Sequence, residues 1–116
     1  MKINARDTPS ATILRLDGDF LSEVDQIALR DKVRALVGEN KYRVIINLAG
    51  VKYINSCGLG SLVCALTTVR KVGGDLYLAC VGHEVERILK ITALHTVFNI
   101  FQTMETAIAE ANAYKK

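Results

Sequence analysis

The chain has 116 residues, half of them apolar, with 15 Lys or Arg against 12 Asp or Glu and a net charge of +3. That length buries about two-thirds of the unfolded-chain surface without metal or disulfide staples, and the apolar content excludes a disordered segment. Charges of mixed sign exclude the clustered basic face of a nucleic-acid binder, and no run approaches the ~18 apolar residues of a membrane span. A single cytoplasmic domain over residues 1–116 is expected, bound to neither membrane nor nucleic acid.

In chain order, residues 2–7 predict a short edge strand, closed by the turn signal Thr8-Pro9-Ser10. Residues 11–16 alternate, with Thr12, Leu14 and Leu16 on one face and Ala11, Ile13 and Arg15 on the other, and predict an antiparallel partner. Asp17-Gly18-Asp19 ends it. Ser22 then caps a helix, with Asp25 where a capping box places its acid, and Leu29, Val33, Leu36 and Val37 form its apolar face. Gly38 is expected to stop it.

Residues 44–48 are a continuous apolar run broken only by Asn47, which predicts a central strand with Asn47 as a polar anchor. After the turn Asn55-Ser56-Cys57-Gly58-Leu59-Gly60, the spacing of Leu59, Leu62, Val63, Leu66 and Val69 is helical, and Gly73-Gly74 closes that helix. Residues 76–80 predict a strand, and Val85, Ile88, Leu89 and Thr92 one side of a helix. Residues 96–101 predict a last strand. Thr103 caps a final helix carrying Met104, Ala107, Ile108 and Ala111. The order β-β-α-β-α-β-α-β-α predicts an α/β fold, a mostly parallel central sheet with an N-terminal β-pair and about four helices. Its functional loops gather beyond the carboxyl ends of the strands, so residues 17–22 and 49–58 are expected to share one rim.

A hydroxyl and a thiol, Ser56 and Cys57, sit where the second of these helices begins. Residues 40–74 contain no Asp or Glu, although Lys41, Arg43, Lys52, Arg70 and Lys71 are present. The dinucleotide fingerprint fails, because Val63 stands where its third Gly belongs, and the Gly-Lys-Ser/Thr of a P-loop is absent. The hydrolase elbow fails at Ile54, where Gly is required. The two histidines, His83 and His95, lie in other segments, so nothing supports a Ser-His nucleophile pair. Cys57, Cys64 and Cys80 lack metal-ligand spacing, so no metal and no cofactor is expected. A reactive Cys57 at a helix start is one option, a small residue tolerated in a tight turn the other. A phosphate on Ser56 is the remaining chemistry, since a helix start welcomes an anion.

The segment from Val44 through this turn to Phe101 resembles a STAS domain of the anti-sigma factor antagonist family, whose mark is an Asp-Ser-Ser/Ala-Gly-Leu-Gly turn between a central strand and a helix. The resemblance covers essentially the whole chain, including Leu16-Asp17-Gly18-Asp19. It implies a regulator rather than an enzyme. Such a regulator is phosphorylated by an anti-sigma factor serine kinase, restored by a metal-dependent serine phosphatase, and frees a sigma factor when unmodified. Ser56 falls at the phosphoacceptor position, and the implied partner surface comprises Gly18, Asp19, Leu21, Ser22, Asn55, Ser56, Cys57, Gly58, Leu59 and Gly60. Gly58 and Gly60 would let the partner's backbone approach, and Leu59 would anchor the helix start. Asn55 and Leu21 stand where the family commonly has Asp. The alternatives are an adaptor that docks without phosphorylation on a kinase-like protein, a stress-signalling scaffold or a transporter ATPase, and a thiol-based redox protein centred on Cys57.

Overall fold

The computed structural model describes residues 1–113. In chain order these form β1 (Lys2–Asp7), β2 (Thr12–Asp17), α1 (Glu23–Gly38), β3 (Arg43–Gly50), α2 (Ser56–Lys71), β4 (Asp75–Ala79), α3 (His83–Ile91), a 3-10 turn (Leu94–Thr96), β5 (Asn99–Phe101) and α4 (Met104–Ala113). The strands lie in one sheet in sequence order, β1 antiparallel to β2 and the rest parallel. The fold class is therefore the expected one.

Strand alternation sorts the core into two layers. Leu14 and Leu16 of β2, Val44, Ile46 and Leu48 of β3, and Leu76 and Leu78 of β4 pack beneath Leu29 and Val33 of α1, Leu62 and Val69 of α2, and Val85 and Leu89 of α3. The opposite face presents Ile13, Ile45, Tyr77 and Ala79 to Ala107 and Ala111 of α4. The register Leu14–Ile46–Leu78 and Ile13–Ile45–Tyr77 runs the two sets straight across the sheet. Three helices thus cover one face and a single helix the other, and the carboxyl ends of β2, β3 and β4 open toward the same side.

Several local expectations need correction. The last strand is only Asn99–Phe101. Ala93 adopts a left-handed φ of 60°, and the N–H groups of Thr96 and Val97 bond back to the carbonyls of Ala93 and Leu94, so this part of the chain turns instead of extending. α1 does end at Gly38 as expected, but the left-handed residue after it is Asn40, at φ 62°. Ser22 caps α1 as expected, its Oγ accepting from the Asp25 N–H at 3.2 Å, but the Asp25 carboxylate pairs with the Met1 amine at 3.3 Å instead of returning to the cap. Cys80 lies beyond β4, at φ 57°. Asn47 is buried, its Oδ1 accepting from the Ala49 N–H at 3.0 Å, and anchors the end of β3. After α2, Gly73 takes the left-handed turn at φ 83°, and a Cβ on Gly74 would sit 2.0 Å from the Tyr42 carbonyl oxygen.

Candidate functional site

The two segments expected to share a rim are joined by main-chain hydrogen bonds. Past the end of β2, the Gly18 N–H donates to the Gly50 carbonyl at 2.9 Å and the Phe20 N–H to the Tyr53 carbonyl at 3.0 Å. The Asn55 N–H in turn donates to the Phe20 carbonyl at 3.4 Å, and Phe20 and Ile54 form an isolated parallel bridge. The β2–β3 pairing therefore continues beyond the sheet. Phe20 and Ile54 are both buried in the main core, so the extension is anchored from below. Tyr53 is tied a second time, its N–H donating to Asp19 Oδ1 at 3.2 Å.

Asn55 then starts α2 as its N-cap, in extended conformation, with Oδ1 accepting from the Gly58 N–H at 3.2 Å. Its Nδ2 donates to the Leu21 carbonyl at 2.9 Å. One side chain thus caps α2 and pins the segment that leads into α1. The N–H groups of Ser56 and Cys57 have no protein partner among the described residues, and the first turn of α2 contains no acid. These free donors lie at the positive end of the helix dipole, where an anion is stabilised.

Ser56 is exposed at the first position of the helix, and its hydroxyl has no hydrogen-bond partner among the described residues. Cys57 and Gly60 are half-buried; Gly18, Asp19, Leu21 and Ser22 are exposed. Gly58 and Leu59 are buried. A Cβ on Gly58 would meet Ile54 Cγ1 at 2.4 Å and the Phe20 carbonyl oxygen at 2.7 Å, whereas one on Gly60 would meet nothing within 4 Å. Internal packing thus requires Gly58, while Gly60 leaves open surface. The structure gathers eight of the ten residues onto one accessible rim and sets Gly58 and Leu59 behind it.

The rim also holds residues that sequence reasoning passed over. Phe20 and Ile54 join its halves; their apolar character amid polar neighbours was the available sign. Tyr53 is 46% exposed, with Lys52 Nζ 5.4 Å above its ring centroid. Both line a depression of about 300 Å³ with Gly82, His83 and Glu84. The Arg87 guanidinium, hydrogen-bonded to Glu84, holds that carboxyl below its usual range. Among the described residues, no group of three His, Cys, Asp or Glu could hold a metal, and no helix is long and apolar enough to cross a membrane.

Ser56 thus stands exposed on the strand-to-helix turn where the two joined segments meet. The STAS domain family model matches residues 2–107, and the chain belongs to that family. A Thermotoga neapolitana protein named as a homologue of an anti-sigma factor antagonist is 37% identical over 73 residues, which span 63% of this chain and 63% of that protein. An anti-sigma factor antagonist from Mycobacterium paratuberculosis superposes with a TM-score of 0.82 at 21% identity, covering 95% of this chain and 92% of its own. The Bacillus cell-fate determinant SpoIIAA in its phosphorylated form gives 0.73 at 17% identity, covering 94% and 98%. At these identities the structural likenesses establish the fold.

Proposed function

We propose that this chain is an anti-sigma factor antagonist that works as a partner switch, with Ser56 as its phosphoacceptor. Unmodified, the rim binds an anti-sigma factor that is also a serine kinase, and the sigma factor held by that protein is released in the cytoplasm. The kinase transfers the γ-phosphoryl group of ATP to Ser56 Oγ, leaving ADP and a proton. A metal-dependent serine phosphatase hydrolyses the ester and restores the rim. The chain itself needs no catalytic group.

The observation that carries this reading is the exposed Ser56 hydroxyl at the first position of α2, beside the free N–H groups of Ser56 and Cys57. A phosphate there adds about −1.5 to −2 charge, which the helix start accommodates without unfolding the domain. The docking surface then changes in charge and shape while its scaffold stays intact. The names of the curated relatives support the antagonist role.

Incubation with the anti-sigma kinase and ATP, followed by mass spectrometry, tests the reading. One phosphate is expected on the wild-type chain and none on Ser56→Ala, with the kinase binding the unmodified form and releasing the modified one. Asn55 and Leu21, where the family commonly has acids, favour a second reading: an adaptor that docks without phosphorylation on a kinase-like protein, a signalling scaffold or a transporter ATPase. Stable binding with no phosphate incorporated would select it.

A further inference from the structure

The sheet face under α4 is covered unevenly. α4 packs on β3, β4 and β5, and toward the β1 edge that face carries polar side chains. Asn4, Arg15 and Asn47 stand opposite one another across β1, β2 and β3, and Arg6 stands opposite Ile13. Together with Met104 at the start of α4 they line a cavity of about 330 Å³. A volume of that order is within the range of small-molecule sites, which join apolar walls to a few placed polar groups.

Asn47 decides what the cavity can hold. It is 9% exposed, and its Oδ1 is taken by the Ala49 N–H. Among the described residues its Nδ2 has no hydrogen-bond partner, yet no fully enclosed side-chain nitrogen or oxygen is left without one. The free Nδ2 is therefore the part of Asn47 that opens on the cavity. An amide donor so nearly buried favours any occupant that accepts from it.

Charge and wall then choose among acceptors. Arg15 is committed to Asp17, with Nε 3.1 Å from Oδ1, and the two charges offset each other. Arg6 has no acidic partner among the described residues, so its guanidinium is uncompensated. Ile13 and Met104 supply apolar surface. Inorganic phosphate would use the donors and leave that wall idle, and an alcohol would use the wall and leave the charge idle. A carboxylate with an aliphatic body uses both.

We propose that this cavity is a binding site for a monocarboxylate with a short aliphatic chain. Arg6 and Asn47 Nδ2 hold the carboxylate, and Ile13 and Met104 flank the chain. The site shares no residue with the rim around Ser56, so it stands or falls separately from the partner switch.

Titration of octanoate into the isotope-labelled chain, followed by NMR, tests this. Octanoate is expected to shift the Asn47 side-chain amide and the Ile13 and Met104 methyls along one saturable curve. Arg6→Gln alters an exposed residue with no ionic partner among the described residues. It should keep the wild-type unfolding midpoint and bind about tenfold more weakly. Asn47→Asp keeps the oxygen that Ala49 uses but replaces the donor with a negative charge, and should abolish the shifts. Octanol and inorganic phosphate, probes of wall and charge alone, should each bind at least about tenfold more weakly than octanoate. Shifts that do not saturate, or that miss all three residues, overturn the proposal. So does octanoate binding that Arg6→Gln leaves unchanged. Octanol or phosphate binding as tightly as octanoate overturns it too, by revealing a plain apolar slot or a simple anion site.

Discussion

Asn55 does with one amide what a carboxylate at the same position cannot. Its oxygen caps α2 through the Gly58 N–H, and its nitrogen donates to the Leu21 carbonyl. Asn55→Ala loses both bonds and should lower stability by about 1–2 kcal/mol in urea unfolding. Asn55→Asp keeps the cap but turns an acceptor toward the Leu21 carbonyl, so its loss should be smaller, with faster amide exchange confined to residues 21–23. An acid at this position would also repel a phosphate on Ser56. The bond to Leu21 means the unmodified form loses stability too. The repulsion should add to that loss in phospho-Ser56 protein, by about 1 kcal/mol per charge pair at 4 Å in water and up to ~4 at an effective dielectric of 20. Equal losses in both forms would show that the charges do not interact. Gly58 and Gly60 make a second contrast. Gly58→Ala drives a methyl into Ile54 and the Phe20 carbonyl and should cost about 1–3 kcal/mol. Gly60→Ala meets open space within the helix and should stabilise by up to about 1 kcal/mol. Thermal melts should shift in opposite directions.

At the level of elements, the order of strands and helices was legible because each long element keeps its period: 2 in β2, helical in α1 and α2. The short C-terminal stretch was not, since a few apolar residues between turns fit a strand and a turn equally well. What decided it, the left-handed Ala93, carries no compositional mark. The rim's two segments were legible as neighbours from the topology. Leu59 turns inward as its place in the helix's apolar spacing predicts; the inward orientation of Gly58 was not legible, because it depends on Phe20 and Ile54 meeting from distant parts of the chain. One contact that no periodicity marks ties the end of β1 to the entry of β3: Lys41 Nζ donates to Asp7 Oδ2 at 2.9 Å. Lys41 first, then the Thr12 hydroxyl, hold the Asp7 carboxyl below its ordinary value of 3.8, and Asp7 raises Lys41 above 10.5. A lowered carboxyl contributes its stability fully above pH 3.8 and loses it as pH falls through the folded value. A raised ammonium contributes fully below pH 10.5 and loses it as pH rises through its own. Lys41→Ala should therefore return the Asp7 midpoint upward in a carboxyl NMR titration. The small stability gap between variant and wild type should close in strong acid and shrink in 1 M salt, as for any exposed pair.

For the molecule as a whole, the helical crossovers on one sheet face set where the rim forms. Three helices fill one layer, and the crossovers they make deliver the ends of β2, β3 and β4 to one side, where the rim forms. The other layer is closed by α4 through Ala107 and Ala111, small side chains that seat a helix close to the sheet. Substitutions that enlarge either alanine should lower stability without altering binding at the rim, and a melt paired with a titration would separate the two effects.

The hydrogen bonds that carry the β2–β3 pairing past the sheet have a consequence for substrate recognition. Most protein kinases draw a pliable segment into their cleft. Ser56 sits on a turn zipped to Phe20 and rooted in the core, so an enzyme modifying it has to accept a folded shape. A synthetic peptide of residues 50–62 contains the same hydroxyl and the same neighbours in sequence, but not the Phe20 bridge or the Leu21 pin. It should be phosphorylated at least 100-fold less efficiently than the intact chain. A peptide as good as the protein would mean that the proposed kinase reads the local sequence and not the folded turn.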